Sequence, residues 1–158
     1  MMEPSFEKLL VRLAEAGILS IVVGGVAVTM QGYVRLTEDV DILLENSEDN
    51  IARFLDCLSH YGEGFARELC IEDFTDEEGA IRIVEETESC QIDVFTVMAG
   101  FHYQDIIADA DYFPVGGHSI AFASKSSLIR WKGKSVREKD RMDAMALRRL
   151  VENPRQFE

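Results

Sequence analysis

Aspartate is among the residues least suited to a β-strand, yet this chain sets three of them among strand-forming residues. Asp39 and Asp41 flank Val40 in the stretch EDVDILL, residues 38 to 44, and Asp93 sits in QIDVF, residues 91 to 95. Side chains two apart on a strand share a face, with Cα atoms about 6.6 Å apart. Carboxylates that close repel one another, and burial makes each charge costly. A divalent cation removes both penalties. Few, hard oxygen ligands suit Mg²⁺, which keeps waters and draws further ligands from phosphates. The structural alternative is three aspartates on the wet face of a half-buried sheet, and the depletion of aspartate in strands weighs against it.

A second feature lies upstream. The apolar run from Ile18 to Val23 ends in Gly24-Gly25, and residues 26 to 32 read as a short helix of small and apolar residues. A strand passing through glycines into a helix can offer backbone N–H groups to an anion, and glycine lets a phosphate approach. Alone, a Gly-Gly is more often a tight turn. Val26, Ala27 and Val28 follow it, so it is neither the dinucleotide fingerprint nor a P-loop.

The rest of the pattern supplies an architecture. Phe6, Leu9, Leu10 and Leu13 recur at helical spacing after Ser5, a candidate cap. Val40, Ile42 and Leu44 share one strand face, leaving Asp39 and Asp41 on the other. A helix capped near Ser47 buries Ile51, Phe54, Leu55 and Leu58. Residues 62 to 79 are acidic and weakly periodic and read as loop. Strands follow at 80 to 86 and 91 to 98, then a short helix at 103 to 109. A hairpin turns at Gly116-Gly117, with strands at 112–115 and 119–122. Helices at 124 to 132 and 136 to 151 complete the chain, and Pro154 follows them. The expected fold is α+β: a mixed sheet carrying the carboxylates, flanked by helices, with a core over 1–123 and a C-terminal helical segment over 124–158 packed on the same domain.

Charge narrows the partners. The net charge is −13 over 158 residues, so long nucleic acid is not an expected partner. Residues 125 to 149 nevertheless carry nine Lys/Arg against three Asp/Glu. This segment is the one suited to face something negative, although a solvated helix gives the same count. Cys57, Cys70 and Cys90 fit neither a disulfide framework nor a zinc site and read as reduced, mostly buried thiols of a cytoplasmic protein. No signal peptide and no membrane span is expected.

Gly24-Gly25, then thirteen residues, then Asp39-Val40-Asp41-Ile42 resembles the signature of the nucleotidyltransferase superfamily related to DNA polymerase β, with a spacer at the long end. Gln91-Ile92-Asp93-Val94-Phe95 matches the place of the family's third carboxylate. The tail SSLIRWKGKSVREKDRMDAMAL looks like that of small stand-alone bacterial members and antitoxin-type relatives. The resemblance implies that Asp39, Asp41 and Asp93 form the catalytic and metal-binding set for Mg²⁺ or Mn²⁺. It implies that Gly24, Gly25, Arg35 and Thr37 contact the triphosphate, with Lys132 and Lys139 as further candidates and Lys125 a weaker one. A nucleoside monophosphate would pass from an NTP, ATP foremost, to a hydroxyl on a protein or small molecule, releasing pyrophosphate. The alternative is an inactive nucleotide-binding or partner-binding module, such as the antitoxin-like component of a toxin–antitoxin pair. Asp140 and Asp143 are expected to pair with basic neighbours such as Arg137 or Arg141. Trp131 is expected in packing, and His118 at the surface.

Overall fold

A computed structural model describes residues 2–133 and 135–153. Six strands form one mixed sheet in the order β3-β4-β2-β1-β6-β5. They are β1 (Ser20–Val23), β2 (Val40–Leu44), β3 (Ile81–Glu85), β4 (Cys90–Phe95), β5 (Asp111–Val115) and β6 (His118–Phe122). The neighbours β1/β6 and β2/β4 run parallel, and β1/β2, β3/β4 and β5/β6 antiparallel. The helices are α1 (Pro4–Glu15), α2 (Gly24–Met30), α3 (Glu48–Ser59), α4 (Tyr103–Ile106), α5 (Lys125–Gly133) and α6 (Glu138–Glu152). This is the α+β architecture expected from the pattern. Pro154 lies outside the described residues.

Local chemistry explains most of the boundaries. Ser47 Oγ accepts the Asn50 backbone N–H and caps α3. The buried Asn50 carboxamide then bonds the backbone of Leu19 and Glu45, which ties α3 to the ends of β1 and β2. Gly116 and Gly117 both take positive φ, 55° and 83°, as a two-residue hairpin turn requires. Pro114 sits on β5, an edge strand, where its missing N–H costs nothing. Ser5 is not the cap of α1: the helix starts two residues earlier than that cap implies, with Pro4 as its first residue and Glu3 as N-cap. Proline suits that position because its fixed φ is already helical and its absent N–H would have no partner.

Apart from Asp41, the central strands β1 and β2 are apolar where they cross the core. Ile21, Val22, Val23, Val40, Ile42, Leu43 and Leu44 are buried. Leu43 is buried although it lies on the aspartate side by the two-residue period, because that face is open only near the start of β2. Leu147 and Leu150 of α6 join the same core, so the C-terminal helices pack on the sheet domain. Cys90 is buried, Cys57 half-buried and Cys70 exposed, which corrects the expectation for Cys70. His118 is half-buried in β6 rather than free at the surface.

Candidate active site

Strand register assembles the site. Val23 faces Asp41, Asp41 faces Asp93, and Asp93 faces Arg82, so four adjacent strands contribute one row. Asp39 lies one residue ahead of β2 and, by the two-residue period, on the side of Asp41. One carboxylate oxygen from each of Asp39, Asp41 and Asp93 lies within 4.8 Å of the others. Gln91 Nε2 donates to Asp39 Oδ2 at 3.2 Å.

The electrostatics are those of a carboxylate cluster compensated at Asp93 but not at Asp41. Asp41 Oδ1 is buried and has no hydrogen-bond partner. Burial first, then the charges of Asp39 and Asp93, push the Asp41 carboxyl up to about 7. Asp39 is raised too, by burial and then by the charge of Asp93 and a hydrogen bond to it. The three residues fit a divalent cation. They offer hard oxygens, one of them an orphan, gathered within 4.8 Å of one another, which is the donor set a hard divalent ion would take. Arg82, which the sequence pattern did not flag, donates from Nε and Nη2 to the two oxygens of Asp93 at 2.9 and 3.1 Å.

The glycine pair has a steric role that the phosphate argument missed. Gly24 has φ +67°, and a Cβ there would stand 2.1 Å from Asp41 Oδ2. At Gly25 a Cβ would stand 2.4 Å from Thr37 Cγ2 and 3.0 Å from an Arg35 guanidinium nitrogen. The glycines therefore make room for the site's own side chains. The helix also begins at Gly24 itself, two residues earlier than the pattern suggested.

The C-terminal helices supply the cleft's other wall. Arg35 makes a two-pronged ion pair with Asp143, Nε to Oδ1 at 2.7 Å and Nη2 to Oδ2 at 2.8 Å. Lys132 Nζ bridges Asp143 at 3.0 Å and Asp140 at 3.2 Å. Ser135 Oγ donates to Asp140 at 2.8 Å, and Arg137 lies 3.9 Å from the same carboxylate. Asp140 thus pairs with Arg137 as expected. Asp143 pairs with Arg35 and Lys132 rather than Arg141, because it lies on the buried face of α6 with Leu147 and Leu150. Its i, i+4, i+7 spacing from those leucines was the available signal. Lys139 is exposed, lines the cleft, and has no ion-pair partner among the described residues. Lys125 points elsewhere, donating to Gln31 Oε1 at 3.1 Å. Trp131 packs against the core, with its indole N–H unpartnered.

The resulting cleft encloses about 300 Å³. Five acidic side chains (Glu38, Asp39, Asp41, Asp93, Asp140) and five basic ones (Arg35, Arg82, Lys132, Arg137, Lys139) line it. The site is therefore balanced where the whole chain is strongly acidic, so an anionic ligand is not repelled from it.

A mixed sheet presenting three clustered carboxylates beside a glycine pair at a strand-to-helix junction is a nucleotidyltransferase-type fold. The chain belongs to the family described as "Nucleotidyl transferase of unknown function (DUF2204)", whose model matches residues 4–158. Among solved structures it is similar to the lincosamide antibiotic adenylyltransferase LnuA bound to lincomycin, with a TM-score of 0.63 and 16% identity over 94% of this chain and 97% of that one. A nucleotidyltransferase-like antigenic protein from Paracoccidioides brasiliensis aligns with a TM-score of 0.47 and 15% identity, over 89% of this chain and 72% of that one. The curated proteins contain no match to this sequence. No helix among the described residues is long and apolar enough to cross a membrane.

Proposed function

We propose that this nucleotidyltransferase moves a nucleoside monophosphate, with ATP the foremost donor, to a hydroxyl acceptor on a small molecule or protein, in a Mg²⁺- or Mn²⁺-dependent reaction. The observation that supports the reading is the orphan Asp41 Oδ1, buried beside Asp39 and Asp93 in a cleft that five basic side chains also line. A buried carboxylate oxygen without a partner is costly, and a bound cation would supply one here. Asp39 and Asp41 would hold the ion, with Asp93 in reach of it; bound there, it would offset triphosphate charge.

The chain's own groups supply the rest. Lys139 is the cation most available to the triphosphate. Arg35 and Lys132 turn toward the cleft while anchored by Asp143, which fixes them in place at the cost of part of their charge. Gly25 and Thr37 line the wall between these cations and Asp39, and Gly24 holds the backbone clear of Asp41. Asp93 accepts the acceptor's proton as its oxygen attacks the α-phosphorus. The new O–P bond forms as the bond to the pyrophosphate oxygen breaks, and pyrophosphate leaves with that electron pair. LnuA is an adenylyltransferase of a small antibiotic; its likeness supports the fold, and the acceptor proposed here extends that chemistry only as a class.

Thermal unfolding with ATP and Mg²⁺ tests the reading. Metal-dependent stabilisation of wild type that is absent in Asp39→Asn/Asp41→Asn supports it. No stabilisation by any nucleoside triphosphate with Mg²⁺ or Mn²⁺ overturns it.

A further inference from the structure

The third carboxylate of the site is already engaged. Arg82 stands opposite Asp93 in the antiparallel β3/β4 register, and its guanidinium meets both carboxylate oxygens at 2.9 and 3.1 Å. A carboxylate has about four lone-pair positions, so this fork takes two of them, one on each oxygen. The Arg82 side chain is 60% exposed against 9% for Asp93. It therefore reaches from the rim of the sheet over a carboxylate that is otherwise enclosed, and it lines the cleft while doing so. A planar, permanently charged fork on a carboxylate is a strong, geometrically fixed contact.

We infer that Arg82 fills the role of a second metal ion, so that the centre binds one divalent cation, at Asp39 and Asp41, and uses the guanidinium as its other cation beside Asp93. The inference rests on the function proposed above. Charge supports it. Asp39, Asp41 and Asp93 together carry three negative charges when ionised, and one divalent ion with one guanidinium carries three positive. A second ion placed against Asp93 would have to share its oxygens with the fork and would lie beside a fixed positive charge. The fork uses one lone pair on each oxygen of Asp93 and leaves the carboxylate capacity to accept a further proton, as general-base work needs. Arg82 uses Nε and Nη2 on Asp93, which leaves Nη1 to donate to phosphate or acceptor oxygens in the cleft. Two of the site's cationic contributions would then differ in kind, one exchangeable with solvent and one built into β3.

The test is a count of bound ions. Full-length protein, with an equimolar non-hydrolysable ATP analogue bridged by methylene between the α- and β-phosphorus atoms, is titrated with Mn²⁺. Electron paramagnetic resonance reads free and bound ion. One Mn²⁺ per wild-type chain is expected, with no signal from spin-coupled pairs. Arg82→Met, at an exposed edge-strand position, is expected to bind two and to show the coupled signal, while Arg82→Lys, which keeps a charge, stays at one. Two ions per wild-type chain, or one per folded Arg82→Met chain, overturns the inference and leaves the proposed function standing. No bound ion in wild type overturns both.

Discussion

Removing the buried charge of Asp41 should stabilise the metal-free protein at neutral pH, and the structure sets the size of the effect. The groups facing this carboxyl are Asp39 and Asp93, which raise it, and Lys132 and Arg82, which lower it less; burial is the largest cause. The result is a rise from 3.8 to about 7. A folded-state value above the unfolded one means that the unfolded chain gives up its proton first as pH climbs. Stability from this group is therefore complete below about pH 4 and is lost between about 4 and 7. A rise of about three pH units corresponds to at most about 4 kcal/mol, and partial solvation brings the expectation to about 2–4 kcal/mol. Asp41→Asn carries no such charge. In urea unfolding with EDTA, wild type and Asp41→Asn should differ little at pH 4.5, while the variant should be the more stable by about 2–4 kcal/mol at pH 8. Saturating Mg²⁺ should raise wild type at pH 8 and leave the variant little changed. A difference independent of pH, or a variant less stable than wild type at pH 8 without metal, would refute the reasoning.

Other perturbations separate the parts of the site. Gly24→Ala drives a methyl into Asp41 Oδ2 at a positive φ; transfer measured with labelled ATP should fall at least about 100-fold, since small misplacements cost that much, while circular dichroism stays native. Asp143→Ala strands the charge of Arg35, whose side chain is 15% exposed, and leaves Lys132 only its Asp140 partner; the expected loss is about 3–5 kcal/mol, read as a fall in Tm of at least about 6 °C. Lys139→Ala removes an exposed cation of the cleft; KM for ATP should rise about tenfold, the equivalent of about 1.4 kcal/mol, with Tm unchanged.

The sequence carried the fold further than it carried the site. The strands around the three aspartates, the Ser47 cap and the Gly116-Gly117 hairpin each followed from a local rule, periodicity or turn chemistry, that tertiary packing did not override. What stayed hidden depends on register and on side-chain reach. Arg82 was placed in a strand, but only the β3/β4 pairing sets it against Asp93. Nothing in a single chain states which residues of two strands lie opposite one another. Arg35 and Asp143 are 108 residues apart, and their pairing became visible only once α6 packed its leucines on the core. The buried position of Asp143 in an apolar helical stripe was a legible sign that it needed a partner, though not which one. The glycine pair was noticed for a phosphate, whereas the close approach it serves first is that of Asp41 and Thr37.

The central claim is that chemistry at this site transfers the α-phosphoryl group with its nucleoside. Parallel incubations with ATP labelled at the α- or the γ-phosphate, with Mg²⁺ and a cell extract split into protein and small-molecule fractions, test it most directly. The account predicts that α-label moves onto an acceptor while γ-label leaves as pyrophosphate, and that both are abolished in Asp39→Asn/Asp41→Asn. Transfer of the γ-label to acceptor, or α-label transfer undiminished in that double variant, would contradict it.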